Sequence, residues 1–188
     1  MDALIVVDVQ NDFLPGGSLA VPNGNLIIPV INSIRDKFDL VVFTQDFHPD
    51  DHCSFKSNGG IWPAHCVMDS HGAEIASDVR MVENDHIIHK GNYQNVDSYS
   101  GFWDNERKHE TDLNRILQEY NVRTAHICGL ATDYCVKFTA LDAKEAGYNV
   151  FLIEDACRGV NVNPGDVDRA IEEMKSKGIL TCEKLWKQ

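Results

Sequence analysis

Six short, largely apolar runs punctuate the chain, at residues 3–7, 40–43, 86–89, 124–128, 149–153 and 179–182. Their length and composition predict strands covered on both faces. Between several of them the pattern changes to helical spacing, over residues 25–37, 111–120, 132–147 and 165–177, the last preceded by the turn-forming Asn163-Pro164. In the third of these, Val136, Ala140, Ala143 and Gly147 recur at helical intervals. Strand and helix in alternation predict an α/β fold, a parallel sheet wrapped by helices. In such folds ligands bind beyond the carboxyl ends of the strands. The polar residues that follow the runs there are Asp8, Asp46 and His48, Lys90, and Cys135. The irregular passage 47–73, rich in His, Ser, Gly and Pro, is too long for an idle connector and predicts a functional loop.

A chain of 188 residues suits one domain, 1–188, with a proper core. Seventeen Lys and Arg against 29 Asp and Glu give a net charge of -12, which repels phosphate backbones and anionic membranes. Nucleic acid and membrane are therefore not expected partners, and a compact neutral substrate is. The first apolar run, only about six residues long, is too short for a signal peptide or a membrane span, so a cytoplasmic protein is expected. Six cysteines without a C-x-x-C pair then read as free thiols. The oligomeric state stays open, a homo-oligomer included.

The segment Gly129-Leu-Ala-Thr-Asp-Tyr-Cys135 places a cysteine in the first turn of the helix predicted from residue 132. Unpaired N–H groups and the positive end of the helix dipole favour a thiolate there, the nucleophilic form. Asp8 and Lys90 also sit at or past strand ends, so a base and a cation are able to converge on the thiol. Taken singly, Asp8 reads equally as a loop cap, Lys90 as a solvated charge and Cys135 as core. A second constellation is Asp46, His48 and His65. An Asp-x-His pair on extended chain presents both side chains to one side, and this oxygen and nitrogen set suits zinc, iron or manganese.

Asp8-Val-Gln-Asn-Asp-Phe13, Asp46-Phe-His48 with Trp62-Pro-Ala-His65, Lys90-Gly91, Asp97-Ser-Tyr-Ser-Gly-Phe102 and Gly129–Cys135 together resemble, in order, the nicotinamidases of the isochorismatase-like cysteine hydrolases. The resemblance implies a six-stranded parallel sheet flanked by helices and hydrolysis of nicotinamide to nicotinate and ammonia, a step of NAD salvage. It implies a triad on Asp8, Lys90 and Cys135, and a cis Leu130–Ala131 peptide aiming the Ala131 and Cys135 N–H groups at the substrate oxygen. It further implies one divalent metal, zinc before iron or manganese, on Asp46, His48 and His65, anchoring the pyridine nitrogen. His52 is a further candidate ligand.

Phe13 and Trp62 are the expected walls for a flat ring, with Tyr99, Leu130 and Tyr134 beside it. Cys53, Cys66, Cys128, Cys157 and Cys182 read as structural. Three rival readings stand beside this one: another small-amide amidase of the same fold, such as one acting on N-carbamoylsarcosine; a hydrolase whose metal activates water; and a non-catalytic binding protein.

Overall fold

The structure is a computed structural model and describes residues 1–182. Its six strands are β1 (Asp2–Val7), β2 (Leu40–Asp46), β3 (His86–Lys90), β4 (Thr124–Leu130), β5 (Asn149–Arg158) and β6 (Leu180–Cys182). All neighbours run parallel, in the order β3-β2-β1-β4-β5-β6. The chain therefore winds outward from β1 to one side and from β4 to the other. The crevice beyond the carboxyl ends of β1 and β4 is the topological switch point where such sheets bind ligands. Asp8 follows β1 directly, and Gly129 and Leu130 end β4.

β1 and β2 are apolar because the protein interior closes over both their faces. Ala3 to Val7 are fully buried, and full burial of side chains such as Val, Leu and Ile stabilises a fold by about 1.5–3 kcal/mol each. The edge strands depart from the expectation of two covered faces. In β3, Ile88 and Lys90 point inward while Ile87 is 47% exposed, because an outermost strand outreaches the layer that covers its neighbours. β5 runs five residues further than its apolar pattern, with a register shift between Ile127 and Gly129 of β4. Gly129, at φ +120°, is required where it stands, since a Cβ there would lie 2.1 Å from the Val7 carbonyl oxygen. Only glycine lets β4 end flush against β1.

The helices are α1 (Ile28–Ile34), α2 (Leu113–Glu119), α3 (Lys137–Glu145) and α4 (Asp166–Ser176). In α1, Ile28, Ile31 and Ile34 bury one stripe at helical spacing, and the tight turns Gly24–Ile27 and Arg35–Lys37 complete the length the pattern predicts. Among the described residues, no helix is long and apolar enough to cross a membrane.

His126 in β4 packs between the rings of Phe38 and Phe151, with Nδ1 lacking a hydrogen-bond partner among the described residues. Burial pushes its pKa down against the weaker pull of Asp2. Between that lowered value and the usual 6.5 the unfolded chain binds a proton that the folded one refuses, so this contribution is intact above pH 6.5 and is lost as pH falls below it. His126→Phe, which keeps the stack, is expected to flatten the fall in melting temperature between pH 7.5 and 5.5. An unchanged profile would assign the acid sensitivity to other groups.

Candidate active site

Lys90, the last residue of β3, is fully buried and gathers the site around its ammonium. Nζ lies 2.9 Å from Asp8 Oδ2 and 3.4 Å from Cys135 Sγ, donates to Ser98 O at 2.9 Å, and contacts Asp46 Oδ1. Oxygens of Asp8 and Asp46 and the sulfur of Cys135 fall within 4.8 Å of one another, a spacing that would also suit a metal ion. Here the Lys90 ammonium is the cation they share. Asp8 has φ +49°, and its Oδ1 accepts from Thr44 Oγ1 at 2.6 Å. The three triad residues of the sequence reading, drawn from β1, β3 and the turn after β4, thus meet in one place.

The two carboxylates beside Lys90 are driven in opposite directions. Burial pushes Asp8 up, more than Lys90 and Thr44 hold it down. At Asp46 burial acts the same way, but Lys90, His48 and His65 together outweigh it and hold the carboxyl well below its usual range. Environments that separate two like groups in this way divide their chemistry: Asp46 is held as an anion, while Asp8 takes up a proton more readily than an ordinary carboxylate.

Cys135 departs from the expectation of a ready thiolate. Residues Thr132–Val136 form a wide turn closed by Val136 N donating to Ala131 O at 3.1 Å, ahead of α3 rather than as its first turn. Burial pushes the Cys135 thiol well up, and the Asp8 and Asp46 charges add to it against the opposing effect of Lys90. Desolvation penalises a charged sulfur more than the end of a helix rewards it. The resting group is a thiol beside a base. The Leu130–Ala131 peptide is cis, as the resemblance implies.

The other oxygen of Asp46, Oδ2, faces His48 Nε2 at 3.6 Å and His65 Nε2 at 4.0 Å. His48 Nδ1 lies 2.7 Å from Gly91 O and His65 Nδ1 lies 2.8 Å from Pro63 O. A carbonyl only accepts, so each Nδ1 carries a hydrogen and each Nε2 is the ring nitrogen left facing Asp46. Two oriented imidazoles and a carboxylate held ionised fit a divalent metal, with carbonyl-braced histidines of the usual kind behind it. Gly91, at φ +66°, is needed for this approach, because a Cβ would lie 2.4 Å from His48 Cε1. The structure groups His52 with His48 and Asp97 rather than with Asp46 and His65. Its ring stacks on His48, with Nδ1 2.7 Å from Ser54 Oγ and Nε2 3.2 Å from Val96 O.

Phe13, Trp62, Tyr99, Ala131 and Tyr134 line a small cavity together with Asp46, His65 and Cys135. Its free room is about 30 Å³, and Trp62 Nε1 donates to Tyr99 Oη at 3.3 Å, tying two walls together. Burial raises the Tyr99 phenol to about 12, so it stays a neutral hydrogen-bonding group. Larger grooves of about 740 and 370 Å³ lie elsewhere on the surface, but neither contains the thiol. Leu130 does not line the cavity: its side chain is fully buried in the core beside Gly24. The wall also includes Leu19, Asp97 and Val160. Asp97 opens a motif already singled out, whereas Leu19 and Val160 carry no chemistry that a sequence would flag.

The family model of the Isochorismatase domain matches residues 2–183. The nicotinamidase of Acinetobacter baylyi is 42% identical over 193 residues, covering 94% of this chain and 90% of its own. The crystal structure of the pyrazinamidase of Pyrococcus horikoshii in complex with zinc is 46% identical, with a TM-score of 0.88 and coverage of 97% and 98% of the two chains. That of the yeast nicotinamidase bound to the inhibitor nicotinaldehyde is 31% identical, with a TM-score of 0.92 and coverage of 98% and 100%. By a match that spans nearly its whole length, the chain belongs to the isochorismatase family.

Proposed function

We propose that the protein is a nicotinamidase, an amidohydrolase that converts nicotinamide to nicotinate and ammonia through a thioester on Cys135. The observation that carries this reading is the position of Asp46, with one oxygen on the Lys90 ammonium and the other toward His48 and His65. The proposed nucleophile Cys135 and two of the proposed ligands, Asp46 and His65, thereby border one aromatic-walled pocket. The relatives at 42% and 46% identity, a nicotinamidase and a zinc-bound pyrazinamidase, support the same substrate class.

In this mechanism Asp8 accepts the Cys135 proton and the sulfur attacks the carboxamide carbon. The Ala131 and Cys135 N–H groups stabilise the oxyanion, a contribution worth about 3–4 kcal/mol for each donor. Asp8 returns its proton to the departing ammonia and then draws one from the water that cleaves the thioester. Lys90 remains charged throughout, since Asp46, Asp8 and Cys135 outweigh the cost of its burial and hold its pKa well up. Asp46, His48 and His65 would hold the metal, zinc by analogy with the Pyrococcus horikoshii pyrazinamidase, and His52 would support His48 through the stacked rings. The ion would supply a Lewis acid for the pyridine nitrogen.

Purified protein is expected to release ammonia from nicotinamide, and no release in the presence of zinc, iron or manganese would refute the assignment. Pyridine-3-carbaldehyde should trap Cys135 as a thiohemiacetal, for no ammonia can leave. It is expected to inhibit at least about tenfold more strongly than benzaldehyde, a difference of about 1.4 kcal/mol for the ring nitrogen. Equal inhibition by the two aldehydes would exclude the ring-nitrogen anchor.

A further inference from the structure

We propose that Asp12 is a positioning residue that sets the spacing of His65 and His48 through the Cys66 peptide, an inference that rests on the metal site above. Asp12 lies outside the cavity and takes no part in the steps just described. It occupies the short turn Asn11–Phe13, between the base Asp8 and the ring wall Phe13. Its Oδ2 accepts the Cys66 N–H at 2.8 Å, and its Oδ1 accepts the Ser18 N–H at 3.2 Å.

Cys66 follows His65 directly and stands at φ +45°, the left-handed region that a residue with a Cβ adopts only where its surroundings hold it. A hydrogen bond at 2.8 Å to an acceptor fixed in place is such a hold. The carbonyl of the same residue accepts from His48 N at 3.0 Å, and His48 pairs with Val67 as a one-residue parallel bridge. Cys66 thus joins three things at once: the chain leaving His65, the backbone of His48, and the Asp12 carboxylate. Moving the acceptor moves both imidazoles relative to Asp46.

The opposite flank of Asp12 is shaped for the same purpose. A Cβ at Gly72 would lie 2.1 Å from Asp12 Oδ2, so the turn His71–Ala73 packs on the carboxylate only because residue 72 is glycine. Asn11 Nδ2 donates to His71 O at 2.8 Å and fixes that turn from the neighbouring position. The carboxylate is wedged, and its location rather than its charge is what the Cys66 N–H reads.

Position and charge are separable by substitution. Zinc affinity is measured by competition with a chromophoric chelator, alongside the alkylation rate of metal-free Cys135 and the melting temperature. Asp12→Asn keeps an acceptor oxygen in place and is expected to bind zinc within a few-fold of wild type. Asp12→Glu keeps the charge but displaces the acceptor by one methylene, and Asp12→Ala removes it; both are expected to weaken zinc by about 10–100-fold, with Cys135 alkylation unchanged. Wild-type affinity in Asp12→Glu would overturn the proposal, as would Asp12→Asn binding no better than Asp12→Glu. Should Asp12→Ala fail to fold, the Asn and Glu variants decide alone. Absence of zinc binding in the wild type would instead refute the metal site itself.

Discussion

Cys135→Ala is expected to lower the rate of ammonia release from nicotinamide by about 10⁴-fold or more while the melting transition stays cooperative. The size of the loss follows from what remains: a pocket that still binds the ring and two N–H groups with no tetrahedral adduct to stabilise. The fold should tolerate the change, because a smaller side chain replaces the thiol at the cavity wall, where the sulfur's polar neighbours, Lys90 at 3.4 Å and Asp8, remain paired with each other. Quenching single turnovers of the wild type in acid should trap the acyl group on a peptide containing Cys135. A variant retaining a tenth of wild-type turnover would end the covalent mechanism.

Asp8→Asn is expected to cost about 10³-fold or more, within the range for loss of a general base that serves both halves of a reaction. The backbone makes asparagine the informative substitution. Asp8 stands at φ +49°, a conformation asparagine shares readily with aspartate, so the variant removes the ionisable group and leaves the turn after β1 in place. An amide oxygen still accepts from Thr44 but takes no proton from sulfur. The alkylation rate of Cys135 separates the roles: the Asp8 charge adds to burial in raising the thiol, so its removal should leave alkylation at pH 7 no slower while acylation by nicotinamide collapses. Single-turnover acylation at the wild-type rate in Asp8→Asn would assign proton removal to another group.

Strand identity, helix placement and the order of motifs were legible in the chain because they are local. Runs buried on both faces must be apolar, and polar residues at their ends therefore stand out as candidates for chemistry. Asp8, Lys90 and Cys135 stand out as polar groups at the ends of such runs, and Asp46-x-His48 as ligands two apart on extended chain. The long loop 47–73 was likewise visible by length and composition, and it supplies His48, Trp62 and His65 to the site.

Other properties depend on distances across the sheet that no local pattern encodes. The helix-terminus argument predicts a thiolate at Cys135, whereas burial among two carboxylates keeps the thiol protonated; that balance is set by β1, β2 and β3 together. Asp8 and Asp46 are the same residue type at the ends of neighbouring strands; burial drives Asp8 up, whereas Lys90 and two histidines outweigh burial at Asp46 and hold it down. Leu130 belongs to the catalytic turn in sequence yet packs into the core, while Leu19 and Val160 reach the pocket from segments with no motif. His52 has a ligand's chemistry but turns its nitrogens to Ser54 and Val96. Residue type thus determined which chemistry this protein carries, because ionisable and ligating groups announce themselves. The tertiary structure decided the environment of each of those groups, because desolvation and charge pairing depend on neighbours as far apart in the chain as Asp8 and Lys90.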